Sequence, residues 1–229
     1  MLDRFEWGRK LARASRLFFF KNDVLRSSHL RGDNKTISRL YDFFAPVYDF
    51  LFPRFRSFQD TANHVVTTLV QPGDQVLDLG AGTGFLTMKI APKVQSVVAM
   101  DLNGDMLKRA RKKAQKSPFG TNIMINQGSA TQLPFKDESF TLVTSSFMEV
   151  YLSVPDKVLM LNEIHRVLAP GGRLIFLTGN GEISGRYIKR TQWEEILSQT
   201  QFADLEFTEL YDVFRVIFGR KAFRGTPAA

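Results

Sequence analysis

The sequence predicts an α/β protein built on a mostly parallel sheet covered by helices on both faces. Three observations carry this. From residue 57 almost to the end, short apolar segments with strand character alternate with amphipathic helical segments. The segment Gln75–Leu79 reads as a buried strand. It runs directly into a loop holding Gly80, Gly82 and Gly84, and a helix follows, the arrangement that open α/β sheets use at the carboxyl end of a central strand.

The elements follow in order. Phe58, Ala62, Val65, Val66 and Leu69 recur at helical spacing, and Pro72-Gly73-Asp74 makes a turn before the first strand. Residues 97–101 form a second strand. Asn103 can cap the next helix, whose apolar face is Met106, Leu107, Ala110 and Ala114. Residues 122–126 and 140–145 read as the third and fourth strands. A helix over 155–168 turns Val158, Leu161, Ile164, Val167 and Leu168 inward and is expected to end at Gly171-Gly172. A fifth strand over 173–178 and a helix over 191–199 follow, and residues 205–211 and 213–219 close the sheet as an antiparallel pair. The expected sheet has seven strands, the last antiparallel.

Ahead of this domain, 57–229, lie two further zones. Residues 1–33 form a basic amphipathic arm, and residues 34–56 a helical lid broken by Pro46 and Pro53. The net charge of +8 is concentrated in the arm: residues 1–31 hold eight Lys/Arg against three Asp/Glu, so the body is nearly neutral. Trp7, Leu11, Ala14 and Phe18 share one helical face, with Arg9, Arg13 and Arg16 opposite. Such a helix reads as a contact with an anionic membrane surface. Packing on its own domain or on a second subunit is the alternative. The neutral body and the lack of a recognisable binding module argue against nucleic acid. No apolar run approaches the roughly 20 residues needed to cross a bilayer, and Leu17–Phe20 is too short for a signal-peptide core. The chain therefore reads as cytoplasmic, with peripheral contact at the inner membrane face. The absence of cysteine excludes disulfides, Cys-based metal sites and thiolate nucleophiles. No other residues have metal-ligand spacing, so no metal is expected.

The run Val76-Leu77-Asp78-Leu79-Gly80-Ala81-Gly82-Thr83-Gly84 differs from a dinucleotide fingerprint. The third glycine comes one position early, and Phe85 stands where it belongs. Asp78 sets a carboxylate beside the loop, which disfavours a pyrophosphate and suits a ligand with an ammonium group. Asp101 ends the second strand, where its two oxygens can accept both hydroxyls of a ribose. Leu102 and Met106 can flank an adenine.

These residues resemble the first motif of class I S-adenosylmethionine (SAM)-dependent methyltransferases, a Rossmann-like fold. Residues 128–135 (GSATQLPF) resemble the adenine-wrapping segment, 140–152 the fourth strand and substrate loop, and 163–174 (EIHRVLAPGGRL) the following helix, turn and strand. The likeness covers about residues 38–220 and is closest to the UbiE-like group, methyltransferase type 11. It implies that Gly80, Ala81, Gly82 and Gly84 cradle SAM and that Asp78 sits near its amino-acid end. By the same likeness Asp101 holds the ribose, Ser129 and Ala130 meet the adenine edge, and Ser145 meets the methionine end. Serine at 129 replaces the family's usual acid, which implies weaker binding.

Methyl transfer from a sulfonium is an in-line displacement that needs alignment and a dry site, with a base where the acceptor carries a proton. Glu149 and Tyr151, on the loop after strand four, and Tyr48, on the lid, are the candidates. Glu149 also reads as a solvated loop carboxylate, and the tyrosines as pocket wall. His29, His64 and His165 read as ordinary. The group's quinone enzymes carry a Gly-Leu-Arg-Asn-like run where Met148-Glu149-Val150-Tyr151 stands, and a long insertion where residues 179–186 make a short loop. Residues 45–49 (APVYD) and 150–156 (VYLSVPD) look more like bacterial phospholipid N-methyltransferases. The expected acceptor is therefore a hydrophobic, membrane-resident molecule, with a phospholipid amine head group leading. A quinone, a soluble metabolite, and a non-catalytic SAM-binding role are the alternatives.

Overall fold

The computed structural model describes residues 56–185 and 187–222. The arm, the lid up to residue 55, and with it Tyr48, lie outside the described residues. Helix α1, Arg56–His64, continues into a π-turn over Val65–Leu69. Then come β1 (Gln75–Leu79), α2 (Phe85–Ile90), β2 (Ser96–Asp101), α3 (Gly104–Lys116), β3 (Ile123–Gln127) and β4 (Phe140–Ser146). After them follow α4 (Val154–Val167), β5 (Leu168–Gly179), α5 (Arg190–Ser198), β6 (Phe202–Leu210) and β7 (Phe214–Lys221).

The strands form one sheet in the order β3-β2-β1-β4-β5-β7-β6. β1 to β5 run parallel, and β7 enters antiparallel between β5 and β6. The order reverses at β1, so the crevice between the carboxyl ends of β1 and β4 is the switch point where such sheets bind ligands.

The pleat sends alternate side chains to opposite faces and decides what each strand-end residue meets. Val76, Leu142, Ile175 and Val216 pack under α1 and α2, against Phe58, Ala62, Leu86 and Ile90. Leu77, Leu79, Val143, Leu174, Phe176 and Ile217 pack under α4 and α5, against Met160, Leu161, Ile164, Trp193 and Ile196. Helix starts are capped as the sequence implies. Asn103 Oδ1 accepts from the Asp105 and Met106 amides, and Ser153 Oγ accepts from Asp156.

Two expectations change. Helix α4 ends at Val167, and Leu168 is already extended, so Gly171-Gly172 does not end it. Instead Gly171 (φ 75°) lies where β5 leaves and regains its register with β4. The closing pair is longer than expected at the end away from the Tyr211-Asp212 turn, because a bulge at Asp204 (φ 52°) lets the pairing resume out to Phe202 and Lys221.

At the amino ends of the strands, Asp74 gathers the Arg173 guanidinium, the Thr141 hydroxyl and the Gln71 amide. Arg173 is nearly buried, so removing its partner strands a charge in the interior. Asp74→Ala is expected to lower unfolding free energy by about 3–5 kcal/mol, read by denaturant titration.

Candidate functional site

The site is assembled where β1 meets the glycine loop. The amides of Gly80 and Ala81 both donate to the Met100 carbonyl, at 2.8 and 3.0 Å, and the Gly82 amide donates to Asp101 Oδ2 at 2.8 Å. The loop is thus hung from the end of β2. Gly80, Gly82 and Gly84 all adopt positive φ, at 70°, 54° and 83°. They differ in what surrounds them. A Cβ on Gly80 would overlap the Met148 side chain, and one on Gly84 would press on Ala110 of α3. A Cβ on Gly82 meets nothing within 4 Å among the described residues, so of the three this is the glycine with room beside it.

Asp101 accepts from two amides, since Oδ1 takes the Asn103 N–H at 2.8 Å. Burial raises its pKa, and these hydrogen bonds oppose the shift. Asp78 shares the pleat parity of Val76 and so points under α2. There Thr87 Oγ1 donates to Oδ2, and Thr144 Oγ1 donates to Oδ1 at 3.0 Å. Its pKa is pushed up to about 6, first by burial, with the two hydroxyl hydrogen bonds opposing. The carboxyl ties β1 to α2 and β4, an orientation set by the pleat rather than by its spacing from the glycines.

Of the two residues expected to flank a base, Leu102 is 41% exposed and Met106 only 3%, turned beneath the start of α3. Ser129 Oγ lies 2.9 Å from Thr131 Oγ1 and accepts from the Thr131 amide, inside a small turn closed by the Ser129–Gln132 bridge. Ala130 packs against the second-face core. This segment is clamped from α4. Arg166 reaches the carbonyls of Leu133 and Phe135 and the carboxylates of Asp137 and Glu163, while Glu163 accepts the Leu133 amide. The EIHR run was legible as a motif, but its part in holding residues 133–137 was not.

Ser145 is 1% exposed at the end of β4, beside Leu79 of β1, and its hydroxyl has no hydrogen-bond partner among the described residues. A buried polar atom without a partner at a strand's carboxyl end is what a site awaiting a polar ligand leaves behind. Glu149 is likewise 1% exposed, which overturns its reading as a solvated loop carboxylate. The Thr178 hydroxyl donates to Oε1, and Oε2 is buried without a partner among the described residues. Burial raises its pKa, opposed by that hydrogen bond and by the charge of buried Lys157. Tyr151 is half-buried on the same short 3₁₀ turn. Among the described residues no cluster of His, Asp and Glu is placed to hold a metal. His64 is exposed, and His165 packs edge-on against Phe202, far down the α4 side.

The strand order, the glycine loop on β1 and the acid at the end of β2 define the class I methyltransferase fold. Residues 76–172 match the family model described as a methyltransferase domain. Among curated relatives, the demethylmenaquinone methyltransferase of Lactiplantibacillus plantarum is 34% identical over 151 residues, covering 62% of this chain and 61% of the relative. The ubiquinone/menaquinone biosynthesis C-methyltransferase UbiE of Teredinibacter turnerae is 43% identical over 111 residues, 47% of this chain and 44% of the relative. The chain thus spans about half to three fifths of the length of these relatives. The solved structure of the [4+2]-cyclase SpnF superposes with TM-score 0.70 at 16% identity over 82% of this chain and 96% of that one. That likeness concerns the fold alone. The fold is that of class I, SAM-dependent methyltransferases, and the chain is similar to the UbiE-like group of them.

SAM fits the residues present. The room beside Gly82, the carboxylate of Asp101 that holds its amide and the Ser145 hydroxyl, without a partner among the described residues, lie at adjacent strand ends.

Asp78 sets a pH dependence. Its native pKa lies above the unfolded value, so between about pH 4 and 6 the native state holds a proton that the unfolded chain has lost. Stability from this group is therefore present at low pH and lost as pH rises through about 6. The loss is on the order of 3 kcal/mol, at about 1.4 kcal/mol per pK unit. Asp78→Asn is expected to flatten the fall in unfolding free energy across that window, measured by denaturant titration at stepped pH.

Proposed function

We propose that this chain transfers a methyl group from SAM to an aromatic ring carbon of a quinol-type acceptor. The observation that carries the reading is the set of groups that meet at the switch point: Gly82, where an added Cβ meets none of the described residues, the Asp101 carboxylate that holds its amide, and the buried Ser145 hydroxyl without a partner among the described residues. The relatives' names support the acceptor class. Two departures argue the other way: residues 148–151 lack the quinone enzymes' run, and the loop after β5 is short. They span about a dozen positions, whereas the likeness to the Lactiplantibacillus enzyme spans 151 residues. Nothing in the described residues favours the phospholipid head group expected from residues 45–49 and 150–156.

When bound, SAM supplies a methyl already activated on a sulfonium. The rest falls to this chain's residues. Asp101 holds the ribose hydroxyls while keeping the Gly82 amide, since each carboxylate oxygen has two lone pairs. Leu102 covers one face of the adenine, and Ser129 and Ala130 meet its edge in the segment that Arg166 clamps. Ser145 gives its hydroxyl to the methionine end. Glu149 takes the proton that the acceptor loses. Its raised pKa places the change to the ionised form nearer neutrality than an ordinary glutamate. Tyr151 forms pocket wall.

Asp101→Ala is expected to weaken SAM binding at least tenfold, about 1.4 kcal/mol or more, by calorimetry. Unchanged affinity would sink the ribose assignment.

Radiolabelled SAM should methylate 1,4-naphthohydroquinone and leave phosphatidylethanolamine vesicles unlabelled. The rate should rise with pH as Glu149 ionises, and Glu149→Gln should lose that rise and most of the activity while SAM affinity holds. Label in the lipid alone would return the acceptor to the phospholipid reading, and label in neither, with SAM bound, would leave a binding protein.

A further inference from the structure

Beside the loop, on the α1/α2 face, five aromatic rings meet at the carboxyl ends of β1, β4 and β5. Phe58 stacks on Phe85, which directly follows Gly84, with ring centroids 4.7 Å apart. Phe147 lies 5.7 Å from Phe58, 5.9 Å from Phe214 and 6.1 Å from Tyr187. Phe58 is buried, and the other four are partly exposed.

Two features show that Phe147 and Tyr187 are held there at a cost. By the pleat, Phe147 would follow Val143 and Ser145 toward α4. It sits instead at φ 58°, a left-handed conformation that an aromatic residue adopts only under constraint, and its ring turns to the α1/α2 face. Its amide still donates to the Leu177 carbonyl at 2.9 Å, so the strand pairing holds while the side chain is re-aimed. Tyr187 lies directly over Gly179, the last residue of β5, where any Cβ would overlap the ring. The loop carrying Tyr187 is anchored by Arg215, whose buried guanidinium meets Asn180 Oδ1, Glu182 and the Ile188 carbonyl. The loop is short, yet it is tied at both ends around this one ring.

We propose that Tyr187, seated on Gly179 and facing Phe147, is the specificity-determining residue for the acceptor and selects a flat, uncharged aromatic ring. The proposal rests on the methyltransferase reading above and names the side chain that chooses its acceptor. Offset and edge-to-face ring contacts add to affinity beyond the area they bury. The same rings could attract an ammonium group, but a cation site needs fixed negative charge nearby. The neighbouring carboxyl, Glu149, accepts from Thr178 on the α4 face, across the sheet edge from the rings, so it does not line the wall. The wall therefore suits an uncharged ring better than an alkylammonium head group.

The test measures binding by calorimetry to the full chain saturated with S-adenosylhomocysteine, using 1,4-naphthoquinone as the flat probe and tetramethylammonium as the cationic one. The chain has no cysteine for the quinone to alkylate. The wild type should bind naphthoquinone and not tetramethylammonium. Tyr187→Ala should weaken naphthoquinone about tenfold, Gly179→Ala should weaken it by displacing the ring, and Tyr187→Phe should retain it. S-adenosylhomocysteine affinity should be equal in all four proteins, which also reports that each is folded. Unchanged naphthoquinone affinity in Tyr187→Ala overturns the proposal and leaves the proposed function standing. So does a wild type that binds S-adenosylhomocysteine but prefers tetramethylammonium. A folded wild type that binds no S-adenosylhomocysteine overturns both.

Discussion

Three hydrogen bonds from backbone amides tie the end of β1 to the end of β2, and the rest of the site depends on them. The Met100 carbonyl takes two amides of the glycine loop, and the Asp101 carboxylate takes a third. With these made, the loop must turn through positive φ at alternate residues. Glycine alone accepts that at little steric cost. The turn delivers Gly84 onto Ala110 of α3 and brings Gly80 under Met148, so one loop joins β1, β2, α3 and the loop after β4. The carboxylate is a structural brace, and in the proposed function it also takes the ligand's hydroxyls.

The second organising constraint is pleat parity. On β1 it sends Asp78 under α2, to the hydroxyls of Thr87 and Thr144, rather than into the crevice. On β4 and β5 it sends Ser145 and Thr178 to the α4 face, where Glu149 closes on Thr178. Phe147 breaks the parity through its left-handed backbone and delivers an aromatic ring to the opposite face. The polar groups and the ring wall are thus separated across the sheet edge by a single residue's φ.

Three carboxyls, Asp78, Asp101 and Glu149, are pushed toward their neutral forms by burial. Burial makes the ionised form of each more costly, and a cationic ligand nearby would offset that cost. The fold does not compel this chemistry, since a cyclase shares it. The identity of the groups at the strand ends does.

The sequence by itself determined the element order, the parallel sheet with its antiparallel last strand, the Asn103 cap and the glycine loop with its two acids. These are local patterns: hydrophobic period, turn chemistry and residue spacing are written along the chain. It also pointed to Ser145, at the end of strand four, through the family likeness, and to Glu149 through its place on the loop that follows. Tertiary structure alone decided which way those groups face and what holds them. The burial of Glu149 depends on Thr178, 29 residues away, and the bracing of Asp78 on Thr144, 66 residues away. Arg166 finds the Leu133 carbonyl across 33 residues, and Tyr187 finds its seat because Gly179 lacks a side chain. Such contacts join distant segments only when the sheet closes, so no local pattern announces them.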